Sequence, residues 1–350
     1  MGGLLLLDAR GCSPPLLRAA ARFQHAQQAA CVAVGPAPGV HAAAAAGLRI
    51  DGSHACAGSS ALLDARALRR ALAPVVRRAT GAFAVGAGAP EIAGALGLEA
   101  LDAPLALPDP VPALARAALR ETWEVTDAHA VFLLAASPAQ AGDARAALDI
   151  VGRCAFMRGP CALVVHPDAG RIERTRHWAR VNEAGWKLIV DERADDPELL
   201  AAAIDAAIAL ELPGSVDPRP LRLRSRAAVR EASAAPWRRW ASWAAELARG
   251  TAERAPAADA IVAQVLVRAG VPLAVATGSS AHASLGAAVP EGCFDPRRPN
   301  LGAHLLLRLA RDPDARAALA RRQRAALEAG DPARAGAPAS EARNAVAASV

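Results

Sequence analysis

Tyrosine is absent from this chain of 350 residues, and lysine occurs once, at Lys187. Aromatic residues make up only 3% of the sequence. A single-stranded nucleic acid needs rings to stack on and a basic groove to follow. Here the basic residues are scattered, so the net charge of +6 does not point to a nucleic-acid partner. The six cysteines (Cys12, Cys31, Cys56, Cys154, Cys161, Cys293) form no C-x-x-C pair, and neither they nor the histidines cluster with metal-ligand spacing. This excludes a disulfide framework and a metal centre, and buried free thiols of a reducing compartment are expected. No apolar run approaches the roughly 18 residues that cross a bilayer. The LLLL run at 4–7 is short, lacks a basic flank and is closed by Asp8, unlike a signal peptide. A soluble, cytoplasmic chain is the expectation. There is no Gly-x-Ser-x-Gly elbow and no Gly-x-x-x-x-Gly-Lys loop, which argues against a serine hydrolase or a P-loop NTPase. No cofactor is expected.

What is present is length, apolar content and rhythm. The chain can hold two domains with their own cores, and 53% of it is apolar, much of that alanine. Short apolar runs alternate with helical patterns. LLLLDA, ACVAVG, LRID and AFAVGA read as strands, with helices at 14–28 and 64–79 between them. The proline-rich stretch 104–112 reads as a linker. After it come a helix over 113–123, with Arg116 and Arg120 four apart, and the strand VFLLAA. Helices at 142–156 and 171–185 alternate with the strands CALVVHP and WKLIVDE, then a helix over 196–207 and the strand AAIALEL. Repeated βαβ units predict doubly wound parallel sheets. The rhythm breaks in an Arg- and Trp-rich insert, 213–258. It resumes at 271 with VPLAVAT, the Gly278-Ser279-Ser280 turn, CFDP, the helix NLGAHLLLRLA, and a helix starting at Asp312-Pro313. The last twenty residues are Ala-, Gly-, Pro- and Ser-rich and are expected to be disordered.

The order of LPDPVPALARAALRETWEVTDAHAVFLL, ALVVHP, WKLIVDE and the 271–330 tail resembles the group 1 (family 4 type) glycosyltransferases over residues 105–330. The resemblance implies an α/β fold of two Rossmann-like domains facing a cleft (GT-B type). The domains would be a reduced N-terminal one, 1–108, and a C-terminal one, 109–330. It also implies a nucleotide sugar held mainly by the second domain and a glycan or lipid acceptor held by the first, without a metal. Diphosphate charge is met by cationic side chains and helix N-termini in such sites.

The chain departs from the family at its signatures. Where the resemblance places an Arg and a Lys-Gly after the first strand of the second domain, this sequence has Ala136, Ala141 and Gly142; Arg145 follows one turn later. Where it places paired glutamates, the chain has Ala257 and Val265, with Asp259 as the nearby acid. Catalytic residues are therefore not assigned. The donor-binding candidates are Gly142, Arg145, Asp259, His166 at the end of CALVVHP, and Thr277, Ser279 and Ser280 after VPLAVAT, with Asp168 and His282 beside them. Strand C-termini line the crevice in open α/β sheets. Asp8 and Arg10, at the end of the first strand, face the same region, and Ser13 stands where it would cap the next helix. Trp237, Trp240 and Trp243, at helical spacing beside Arg238 and Arg239, suit either a packed seam or peripheral contact with the inner membrane face. Two functions remain open. One is a retaining glycosyltransferase moving a hexose from a nucleotide sugar; the other is a non-catalytic binding or partner protein in surface-polysaccharide assembly.

Overall fold

The computed structural model describes residues 3–10, 12–56, 65–77, 79–86, 88–135, 144–167, 186–210, 261–279, 281–282, 285 and 288–330. The expected helix over 171–185, the insert 213–258 and the tail 331–350 lie outside the described residues.

Two parallel sheets organise the chain. The first contains β1 (Leu4–Asp8), β2 (Ala30–Gly35), β3 (Ile50–Ala55), β4 (Gly81–Val85) and β5 (Glu99–Asp102), in the order β3-β2-β1-β4-β5. Its helices are α1 (Pro14–Gln27), α2 (Ala37–Ala45), α3 (Ala65–Val76) and α4 (Ala89–Leu96). The second contains β6 (Ala130–Leu134), β7 (Cys161–Val165), β8 (Trp186–Val190), β9 (Ala206–Ala209), β10 (Leu273–Ala276) and β11 (Cys293–Phe294), in the order β11-β10-β9-β6-β7-β8. With it go α5 (Arg116–Thr122), α6 (Ala144–Arg158), α7 (Ile261–Arg268), α8 (Pro299–Arg311) and α9 (Pro313–Gly330). Every strand pair is parallel, so each connection crosses over and the expected doubly wound form results.

The central strands are apolar on both faces because both faces are covered. In β1, Leu4 and Leu6 enter one core while Leu5 and Leu7 enter the other. The same division places Phe132 and Leu134 of β6 opposite Val131 and Leu133. Edge strands carry no such signal. All four residues of β5 are exposed, and β3 alternates through Gly52, Ser53 and His54. This is why β5 is not apparent in the sequence and why the third strand runs over Ile50–Ala55 rather than 48–51. The expected helix over 196–207 is instead a 3-10 turn, Pro197–Ala203. Asp205 ends it, since its carboxylate accepts the Val131 N–H at 2.9 Å and its own N–H donates to Val131 O, drawing the chain into β9. The short helices α2 and α4 were also unforeseen. Both begin with a proline in the first turn, where a missing N–H costs nothing.

Helix α7 joins the two halves. Ile261 and Val265, four apart, enter the core that contains Leu16, Leu17 and Ala20 of α1, while Val262, Ala263, Leu266 and Val267 enter the core of the second sheet. An ionic contact runs alongside. Arg18 of α1 meets Asp196 at 2.7 Å and Glu198 at 3.4 Å, and Arg268 of α7 meets Glu198 at 2.5 Å and the carbonyl of Pro108. Glu198 is buried, at 2% exposure, and its charge depends on these two guanidiniums.

Cys31, Cys154 and Cys161 are buried thiols. Burial pushes the Cys31 thiol up to about 12 and the Cys161 thiol up to about 11, and raises Cys154 as well. Two outcomes follow. Alkylation at pH 8, followed by mass spectrometry, should spare these three thiols until denaturant is added, because only the thiolate reacts. Glu198→Gln should cost about 3 kcal/mol in urea denaturation, since it leaves the partly buried Arg268 guanidinium without a carboxylate and Arg18 with Asp196 alone; an unchanged midpoint would show that the contact is incidental.

Candidate functional site

In an open parallel sheet the ligand crevice opens at the strand C-termini, where the strand order reverses. In the first sheet that point lies between β1 and β4. Asp8, 1% exposed, ends β1, and its carboxylate takes four donors. Arg10 Nε and Nη2 reach it at 2.7 and 2.9 Å, the Arg10 N–H at 3.3 Å, and the Gly88 N–H, at the start of α4, at 2.9 Å. Gly86 makes this approach possible. Its φ of +95° is left-handed, and a Cβ there would lie 2.7 Å from Asp8 O.

Among the described residues neither Arg10 Nη1 nor Ser13 Oγ has a protein partner; Arg10 is 4% exposed and Ser13 0%. The expectation that Ser13 caps α1 needs correction. Ser13 holds the N-cap position, but Pro14 and Pro15 occupy the next two places and its hydroxyl makes no cap bond. A proline offers no N–H at the site where a cap oxygen would bind. The β1–α1 turn thus holds a rigid carboxylate–guanidinium pair beside two donors still free to meet a ligand.

In the second sheet the reversal lies between β6 and β9. Of the loops that follow them, Gly142 and Asp259 are outside the described residues, and Arg145 is described only as backbone in the first turn of α6. Ser280 and Asp168 are also outside. His166 follows β7, half-buried, with Nε2 4.0 Å from Asp195 Oδ2. Burial raises the Asp195 carboxyl above its ordinary value, with His166 acting the other way. Thr277 and Ser279 follow β10 across the left-handed turn at Gly278. Thr277 Oγ1 donates to Phe294 O at 3.1 Å, and Ser279 Oγ donates to Ala276 O at 2.8 Å while accepting the His282 N–H at 3.2 Å. Both hydroxyl protons are committed to backbone carbonyls, so neither residue donates to a phosphate. His166 and Thr277 share one edge of the sheet, three strand spacings or about 14 Å apart.

Val265 is fully buried against the first domain, so the position matched to the second signature glutamate lies in an apolar seam where a carboxylate would be uncompensated. The sequence did not mark the Arg18–Asp196–Glu198–Arg268 network, whose partners are far apart along the chain. A signal for the seam was present, because IVAQVLVR is apolar almost all round and such a helix is buried on more than one side. Among the described residues no group of three His, Cys, Asp or Glu is placed to hold a metal, and no helix is long and apolar enough to cross a membrane.

No family model and no curated protein sequence matches this chain. Solved structures do. HepE of Anabaena, in complex with UDP and glucose, is 12% identical over 93% of this chain and 94% of its own, with a TM-score of 0.52. The chain has a GT-B fold. Other GT-B neighbours superpose less well. The sucrose-phosphate synthase of Thermosynechococcus elongatus is 11% identical over 94% of this chain and 76% of its own, with a TM-score of 0.43. WaaG, a glycosyltransferase involved in lipopolysaccharide biosynthesis, is 11% identical over 89% and 76%, with a TM-score of 0.40. In this GT-B chain, Ser13→Ala should cost under about 0.5 kcal/mol in urea denaturation, against the ~1 kcal/mol usual for a lost N-cap. A full loss would show that the hydroxyl caps α1 after all.

Proposed function

We propose that this chain is a divergent group 1 (family 4 type) glycosyltransferase that moves a hexose, with retention, from a nucleotide sugar to a glycan or lipid acceptor. The observation that carries this reading is the pairing of two parallel sheets in a GT-B arrangement, each with polar side chains at its strand C-termini. HepE, solved in complex with UDP and glucose, supports a nucleotide sugar as the class of donor.

The residues divide by chemistry. With Ala136 and Ala141 in place of cations, the diphosphate relies on Arg145 and on the N-terminus of α6, where helix dipole and free N–H groups favour an anion. Gly142, with no side chain, suits a close approach of the phosphate. His166 and Asp259 are assigned to the sugar. Thr277 and Ser279 shape the turn after β10, Thr277 offering lone pairs rather than protons, and Ser280 is assigned to the same donor. Arg10 Nη1 and Ser13 Oγ are the donors on the acceptor side. No general acid or base is assigned. The Trp237–Trp240–Trp243 segment beside Arg238 and Arg239 would hold the protein against the inner membrane face if the acceptor is lipid-linked.

Calorimetric titration with UDP, GDP, ADP and their sugar conjugates tests the reading. Micromolar binding of one nucleotide is expected, weakened about tenfold or more by Arg145→Ala, as for a lost charge-assisted bond. Unchanged affinity in the variant removes Arg145 from the site. Failure of every nucleotide to bind leaves the fold and overturns the transferase, favouring a partner protein in polysaccharide assembly.

A further inference from the structure

At the opposite end of the second sheet, where β6, β7 and β9 begin, lies a concavity of about 300 Å³. Arg116, His129, Asp205, Arg311 and Arg316 line it, with Asp127 at the rim. Arg120 lies behind it, buried at 4% exposure. Four guanidiniums thus face two carboxylates, and one of those, Asp127, has a side chain 92% exposed and so is screened by water.

Asp205 is saturated. Its Oδ2 accepts Arg120 Nη2 at 3.1 Å and the Val131 N–H at 2.9 Å. Only its Oδ1 is left for Arg316 at 3.4 Å and Arg116 at 3.6 Å. These two contacts are looser than the roughly 2.7–2.9 Å of a charge-assisted bond; Arg116 also donates to Ala202 O at 3.2 Å and lies 4.0 Å from Asp127, while Arg316 keeps most of its donors. Among the described residues, the Arg311 guanidinium has no ion-pair or hydrogen-bond partner. His129 Nδ1 accepts the Thr126 N–H at 3.2 Å, which leaves the ring proton on Nε2. Burial lowers the pKa of Arg120; Asp205 acts against this, and the neighbouring Arg116 charge acts with it. The negative end of α8 accounts for a cation at Arg311. It does not account for Arg116 and Arg316 sharing one occupied carboxylate.

We propose that this pocket binds the phosphate group of a small molecule, at a site separate from the crevice. Guanidinium forks approaching a concave volume from several sides suit a tetrahedral dianion, and the volume lies at the bottom of the ligand-pocket range. A strand of five residues separates it from the crevice edge by about 17 Å, so the inference does not rest on the transferase reading.

The test titrates the full chain with inorganic phosphate at constant ionic strength, by calorimetry and thermal melting. Arg311→Ala removes a partnerless side chain and leaves the fold intact. Arg308→Ala removes the same charge from an exposed position of the same helix outside the pocket. Saturable binding is expected in the parent, weakened about tenfold or more by Arg311→Ala and unchanged by Arg308→Ala. Absence of saturable binding, or equal losses in the two variants, would overturn the site. So would a loss in Arg145→Ala with Arg311→Ala unaffected, which would move the phosphate to the crevice.

Discussion

The rest of the architecture depends on the burial of one eight-residue helix, α7, against two cores at once. Ile261 and Val265 are shared with the first domain; Val262, Ala263, Leu266 and Val267 belong to the second. An apolar contact has little directional preference. The direction comes from Glu198, which takes a guanidinium from α1 and another from α7. Buried ion pairs add little net stability, and specifying register is their best-supported use. Together the two contacts fix where the strand ends of one sheet stand relative to those of the other, and hence the geometry of the crevice.

That seam has a chemical consequence. Val265, on the face of α7 turned to the first domain, is buried against α1, and the seam places no charge there. The proposed donor chemistry therefore relies on Arg145 and the α6 N-terminus. In the first domain, Asp8 and Arg10 form a pre-organised pair whose carboxylate is fully occupied. Its free Nη1 lies in the same turn as the uncapped Ser13 hydroxyl. The two prolines that start α1 removed the N–H groups that would otherwise have used that hydroxyl.

Much of the fold was legible because buried parallel strands are continuous apolar runs. LLLL, ACVAV, VFLL, ALVV and LAVA each fell where a strand was expected. The edge strand WKLIV was legible too; β5 was not and β3 only in part, since both expose polar residues. The site was legible only in position. Strand ends could be located, so Asp8, Arg10, His166, Thr277 and Ser279 could be placed at the ends of strands; their hydrogen-bond directions could not.

The sequence alone determined the two-layered βαβ rhythm and the main helices, because periodicity and residue type are local properties. Only the tertiary structure decided that Ser13 does not cap and that Ser279 donates inward. It also decided that Val265 lies in a seam and that Arg116, Arg311 and Arg316 meet around one pocket. Each of these depends on which groups, distant along the chain, compete for the same hydrogen bond or the same buried space.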